Sequence, residues 1–119
     1  MIGLIWNCRG VSKKGMSTFI KELLYDYHVD FVGLQETIKK NYSDKFFRQI
    51  DPGKAFSWHW LPAFGTAGGI LIGVKDSLME IIGCQNFKSC FTVVIRNLVD
   101  KVVWRLGVVY GSPYEDGKQ

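Results

Sequence analysis

The stretch Phe31-Val32-Gly33-Leu34-Gln35-Glu36-Thr37 decides how this chain is read. Its short continuous apolar run predicts a strand over 31–36 that is buried on both faces and stops at a Gln-Glu pair. Such a strand is a rigid arm holding one carboxylate at the edge of a core. Upstream, Ile2-Gly3-Leu4-Ile5-Trp6-Asn7 repeats the pattern, an apolar run over 2–6 that ends on an amide. Between the two, Phe19, Ile20, Leu23, Leu24 and Tyr27 recur at helical spacing opposite Lys21, Glu22 and Asp26, which predicts an amphipathic helix over 17–27. A strand–helix–strand unit of this length closes as a right-handed parallel crossover. That topology brings Asn7 and Glu36 to the same end of one sheet, and the pair is the candidate site.

Downstream, 41–50 reads as a short helix capped by Ser43, with Phe46, Phe47 and Ile50 inward and Pro52-Gly53 as its stop. The chain then changes character. Phe56-Ser57-Trp58-His59-Trp60 alternates as a strand does, with three aromatics on one face that read as core rather than as a base-stacking platform, and His59 on the other, exposed or partly exposed. Pro62 and Gly65 mark a turn before an apolar strand over 68–74, in which Gly68-Gly69 permits close backbone approach or a bulge. Further strands are predicted over 78–87, 91–97 and 102–110, with 98–101 as the last hairpin connection. The class is α+β, one βαβ unit followed by an antiparallel meander, in a single domain over 1–119. The turn-rich end from Tyr110 to Gln119 leads toward further chain, so the sequence reads as cut.

Composition narrows the class. At 47% hydrophobic and 22% charged, the 119 residues describe a folded chain and argue against disorder. The net charge of +4 fits a polyanionic substrate, although ordinary domains reach it too, and the pairs Lys13-Lys14 and Lys39-Lys40 read equally as solvated loops or as phosphate contacts. Cys8, Cys84 and Cys90 form no CxxC pair, and with His28 and His59 they show no zinc spacing, which points to a reducing, intracellular setting. The N-terminus lacks the basic region of a signal peptide, and no run approaches the ~20 apolar residues of a membrane helix.

A carboxylate at a strand end suits Mg²⁺ or Mn²⁺, hard ions that take oxygen ligands and need only one or two protein carboxylates beside water. An amide such as Asn7 orients a phosphate oxygen or the carboxylate. The plainer alternative is that Glu36 ends a strand in solvent and Asn7 begins a turn. The loop Gly10-Val11-Ser12-Lys13-Lys14-Gly15-Met16-Ser17 sits where a P-loop would, with both glycines and the serine at P-loop spacing. Met16 stands where that motif needs its lysine, so a solvated loop is favoured over nucleotide binding. Tyr110, ending the last strand, is either a hydrogen-bond donor to phosphate or a packing residue.

Four blocks in order carry more than any one of them: Trp6-Asn7-Cys8-Arg9-Gly10, Leu34-Gln35-Glu36-Thr37, Gly68-Gly69 at an apolar strand, and Val108-Val109-Tyr110-Gly111-Ser112-Pro113. Together they resemble the endonuclease/exonuclease/phosphatase superfamily, the fold of DNase I and of exonuclease III-like abasic-site endonucleases. The wording is most similar to the endonuclease domain of plant LINE-type (non-LTR) retrotransposons. The resemblance implies the N-terminal half of a DNase I-like four-layer α/β sandwich, metal-dependent phosphodiester hydrolysis with Mg²⁺ or Mn²⁺, DNA as partner, and a nuclear location for a retroelement endonuclease. By position, Glu36 matches the family's metal-binding glutamate. Asn7 matches the asparagine near metal and scissile phosphate, and Tyr110 the tyrosine that contacts phosphate. Ser112 departs from the commoner Tyr-x-Pro wording, which weakens that last match.

The family's later Gly-Asp-x-Asn block, its further aspartate and its Ser-Asp-His ending do not occur in the sequence, and neither His28 nor His59 has the required context. The expectation is therefore a truncated domain that holds metal weakly and is not catalytically competent alone. The alternative is a non-catalytic remnant or interaction module that self-associates or binds a partner through a sheet face left uncovered.

Overall fold

The structure is a computed structural model that describes residues 1–63, 68–87 and 90–109. In chain order the elements are β1 (Gly3–Asn7), α1 (Met16–Asp26), β2 (Phe31–Gln35), α2 (Asp44–Ile50), β3 (Phe56–Leu61), β4 (Ile70–Lys75), β5 (Met79–Phe87), β6 (Cys90–Asn97) and β7 (Val103–Val109). The α+β class and the opening βαβ unit are those the sequence predicts. β1 and β2 pair in parallel, with Asn7 opposite Gln35, so Glu36 is the first residue beyond the ladder.

α1 buries Ile20 and Leu24 against the sheet. The predicted stripe runs too far at its C-terminal end, because Tyr27 lies beyond the helix at 65% exposure. His28 takes a left-handed φ of 53°, and the Val29 N–H returns to the Leu24 carbonyl at 3.1 Å. That bond closes the helix in the manner of a Schellman cap, with histidine where glycine is usual. His28 thus has a conformational role. Phe19 is 46% exposed but lies edge-on to Trp6, ring centroids 5.5 Å apart. In α2 the Ser43 hydroxyl accepts from the Phe46 N–H at 3.1 Å, the N-cap that the sequence predicts, a bond worth about 1 kcal/mol.

The strands after β2 are not one meander. They divide between a four-stranded sheet in the order β1-β2-β4-β3 and a three-stranded sheet in the order β5-β6-β7. The reason is visible in β4, whose residues are buried on both faces: Leu71 packs into the core under the helices, whereas Ile70, Ile72 and Val74 pack into a second core with Phe91, Val93 and Ile95 of β6. A strand apolar on both faces is stable only in the interior, so β4 lies between β2 and β3. The turn after Lys75, closed by the Leu78 N–H on the Lys75 carbonyl at 3.0 Å, then sends the chain into the second sheet. Gly68 and Gly69 precede β4 instead of belonging to it.

Phe56, Trp58 and Trp60 face α2 as core, with Phe47 stacked on Trp58 at 5.6 Å. His59, which the sequence places at least partly in solvent, is half-buried, with its Nδ1 fully enclosed. The face of β4 that carries Ile70, Ile72 and Val74 is covered by the second sheet. Apolar exposure persists on the edge strands, at Ile5 of β1 and at Val103 and Val109 of β7.

Candidate active site

The βαβ unit brings the two predicted side chains together. Asn7 Nδ2 donates to Glu36 Oε2 at 2.6 Å, and both residues are exposed. Glu36 does not simply trail off the strand. Its φ is +54°, and Ile38 follows at +55°, a left-handed conformation that costs a non-glycine residue about 1–2 kcal/mol. Such strain persists where surrounding bonds over-determine the backbone.

Those bonds come from two sides. From the β1 side, Cys8 N–H reaches the Gln35 carbonyl at 3.1 Å, Gly10 N–H the Glu36 carbonyl at 2.7 Å, and Val11 N–H the Thr37 carbonyl at 3.0 Å. From the β4 side, the Gly69 carbonyl accepts from Thr37 N–H at 3.1 Å and the Gly68 carbonyl from Ile38 N–H at 2.9 Å. The first two N–H groups of the Gly10–Ser17 loop are thus committed to the carbonyls of Glu36 and Thr37. The close backbone approach anticipated at Gly68-Gly69 is real, and its target is the segment that carries the carboxylate.

Beneath this segment Thr37 is 0% exposed. Its hydroxyl and that of Tyr42 are each enclosed without a well-formed hydrogen bond, although they approach one another. Burial pushes the Tyr42 hydroxyl up to about 12, and the nearby Thr37 hydroxyl draws it back in part. The Cys8 thiol, buried and directed at the Gln35 carbonyl at 3.3 Å, is likewise raised chiefly by burial, which disfavours the reactive thiolate.

Gln35, to which sequence reasoning gave no role, reaches across the sheets: its Nε2 donates to the Val109 carbonyl at 2.8 Å and ties the end of β2 to the end of β7. Tyr110, the third predicted site residue, lies outside the described residues. Arg9, Lys13, Lys14 and Lys40 are exposed on the loops around the pair. Lys39 instead places its Nζ 5.5 Å from the Phe46 ring centroid and 5.8 Å from that of Tyr42. One lysine of that pair thus serves packing.

Among the described residues no three His, Cys, Asp or Glu side chains converge as a metal cage. One exposed carboxylate with an amide beside it nevertheless fits Mg²⁺ or Mn²⁺ held largely by water, because these ions favour oxygen and keep several waters. Two clefts of ≈ 400 and ≈ 370 Å³ lie elsewhere, one between the helices beside Lys21 and Arg48, the other beside Phe47, Trp58 and Asp76. The Asn7–Glu36 pair lines neither cleft, and both residues are exposed among the described residues.

No family model matches the chain, and no relative is found among curated proteins. Solved structures do match. The AP endonuclease LMAP from Leishmania major superposes with a TM-score of 0.60 over 96% of this chain and 42% of its own, at 16% identity. TDP2 from D. rerio, complexed with a single-strand DNA product, gives 0.55 over 92% of this chain and 46% of its own, at 13% identity. The fold is DNase I-like. A conserved protein of unknown function from Enterococcus faecalis gives 0.66 over 92% and 52%, at 8% identity. The chain thus spans about half the length of the DNase I-like structures it matches. Among the described residues no helix is long and apolar enough to cross a membrane.

Proposed function

We propose that residues 1–119 are the N-terminal half of a divalent-metal-dependent phosphodiester hydrolase of endonuclease type, acting on DNA. The observation that carries this reading is the Asn7–Glu36 pair, set at the adjoining ends of two parallel strands in a DNase I-like fold. Glu36 is the ligand for Mg²⁺ or Mn²⁺. Asn7 fixes the carboxylate through Nδ2 and leaves its amide oxygen for metal-bound water or substrate. Tyr110, which follows Val109 directly, is assigned to the phosphate. When bound, the metal supplies Lewis-acid polarisation of the phosphoryl oxygen and stabilises the leaving oxyanion. The open position of the pair suits a polymer that lies across a surface, and the exposed Arg9, Lys13, Lys14 and Lys40 suit its phosphates.

The finer reading is a plant LINE-type retrotransposon endonuclease, nuclear where it acts, carried by the sequence wording alone. Among the described residues no histidine contacts Glu36 to act as a general base, and we expect the 119 residues alone to be inactive. Plasmid nicking tests this. Residues 1–119 with Mg²⁺ should leave supercoiled DNA intact, while a chain extended through a Gly-Asp-x-Asn block should nick it and lose that activity on Glu36→Ala. Nicking by residues 1–119 that Glu36→Ala abolishes would overturn the incompetence of the half. An extended chain indifferent to Glu36→Ala would overturn the site.

A second reading, a non-catalytic module that associates through apolar surface, is favoured by the exposed Ile5, Val103 and Val109 on the open edges of β1 and β7. Sedimentation separates it: a monomer at all concentrations speaks against association.

A further inference from the structure

We propose that Gly69 is a positioning residue for Glu36, because its missing side chain is what lets Thr37, and with it the left-handed Glu36–Ile38 bend, seat beneath the Asn7–Glu36 hydrogen bond. Gly69 is buried, with φ +93°, and a Cβ built on it would fall inside the van der Waals shell of Thr37 Oγ1. The same Cβ would meet Ile38 N at 3.2 Å and Ala63 Cβ at 3.3 Å, so the intruding atom has no side on which to escape. Thr37 is itself enclosed, with no open space to yield into. It is 0% exposed, and its N–H and carbonyl are both committed, to the Gly69 carbonyl and the Val11 N–H. A side chain at 69 therefore displaces the Thr37 peptide, and Glu36 moves with it because the two share that peptide. Asn7, fixed in β1, does not follow, and its 2.6 Å bond to the carboxylate opens.

The neighbouring glycine separates steric exclusion from backbone preference. Gly68 has φ +77°, also left-handed, but a Cβ there meets nothing within 4 Å. Alanine at 68 carries the conformational cost without the collision. Alanine at 69 carries both. The role in metal binding rests on the function proposed above; the geometric role stands without it.

The test uses the 119-residue chain and two readouts, the Asn7 side-chain amide signals in ¹H–¹⁵N NMR without metal, and the affinity for Mn²⁺. Gly69→Ala should move the Asn7 signals to their free-amide position and weaken Mn²⁺ on the order of tenfold or more, the scale for groups that orient a ligand. Gly68→Ala, which carries the conformational cost without the collision, should move the Asn7 signals and weaken Mn²⁺ less than Gly69→Ala does. Removing the atom struck, in Gly69→Ala/Thr37→Ala, should return the Asn7 signals toward the parent position. If Gly69→Ala does not fold, the double variant is read in its place: folding with the Asn7 bond present supports the proposal, and failure to fold or loss of the bond overturns it. Gly69→Ala with unchanged Asn7 signals also overturns it. A parent chain that shows the Asn7 bond but binds no Mn²⁺ would instead remove the metal reading and leave the positioning role intact.

Discussion

Asp51 and Glu36 each stand just past the end of a regular element, and they are treated in opposite ways. Asp51, at the C-terminal end of α2, is 3% exposed, and both its oxygens are occupied. Oδ1 accepts from the Tyr25 hydroxyl at 2.8 Å and Ala55 N–H at 2.9 Å, and Oδ2 from Phe56 N–H at 3.0 Å and Trp58 Nε1 at 3.4 Å. Glu36, past the end of β2, is exposed and meets Asn7, while the bonds around it go to its backbone. At the Asp51 corner the carboxylate holds the chain; at the Glu36 corner the chain holds the carboxylate. A saturated acid consumes its charge in folding, whereas an acid with a fixed backbone and an open head is available for chemistry.

The comparison breaks most visibly at Asp51. Asp51→Ala leaves buried donors without an acceptor and should cost about 3–4 kcal/mol, read as a lowered urea midpoint, with Mn²⁺ affinity of the folded fraction unchanged. A small loss would mean that the corner is held by its aromatic packing instead.

The next effect lies behind Glu36, where the Tyr42 hydroxyl is held at about 12 by burial. The folded value is above the ordinary 10, so the contribution is fully present below about pH 10 and is lost as pH rises through about 12. Stability should fall by about 2–3 kcal/mol across that window through this residue, and Tyr42→Phe should remove that part of the dependence.

The smallest effect compares two left-handed residues. His28 closes α1 and touches no site group described, so His28→Gly should raise stability by about 0.5 kcal/mol, read from urea melts, with no change in Mn²⁺ binding. Strain at Glu36 has a different use in the function proposed above, where it aims the carboxylate assigned to the metal.

Much of this was legible in the sequence. The runs 2–6 and 31–36 and the helical spacing between them specify β1, α1 and β2, and parallel pairing alone brings Asn7 to Glu36. Ser43 announces its cap. What was not legible depends on contacts between distant segments. The division of the strands into two sheets follows from β4 being apolar on both faces, which periodicity in a single strand does not assign to particular partners. Thr37 meets Gly69 only after β4 docks beside β2; the double glycine signalled a close approach without naming its target. Asp51, next to Pro52-Gly53, has the composition of an ordinary turn, and nothing local reveals the donors that converge on it. Gln35 likewise finds Val109 only through the packing of one sheet on the other.

The most direct test of the central claim is where Mn²⁺ binds. Paramagnetic broadening in the ¹H–¹⁵N spectrum of the 119-residue chain should be saturable, centred on Asn7, Glu36 and Thr37, and absent in Glu36→Gln, while the urea midpoint of that variant stays within about 0.5 kcal/mol of the parent. Broadening centred elsewhere, or broadening at Asn7 that survives Glu36→Gln, would contradict the assignment of Glu36 as the metal ligand.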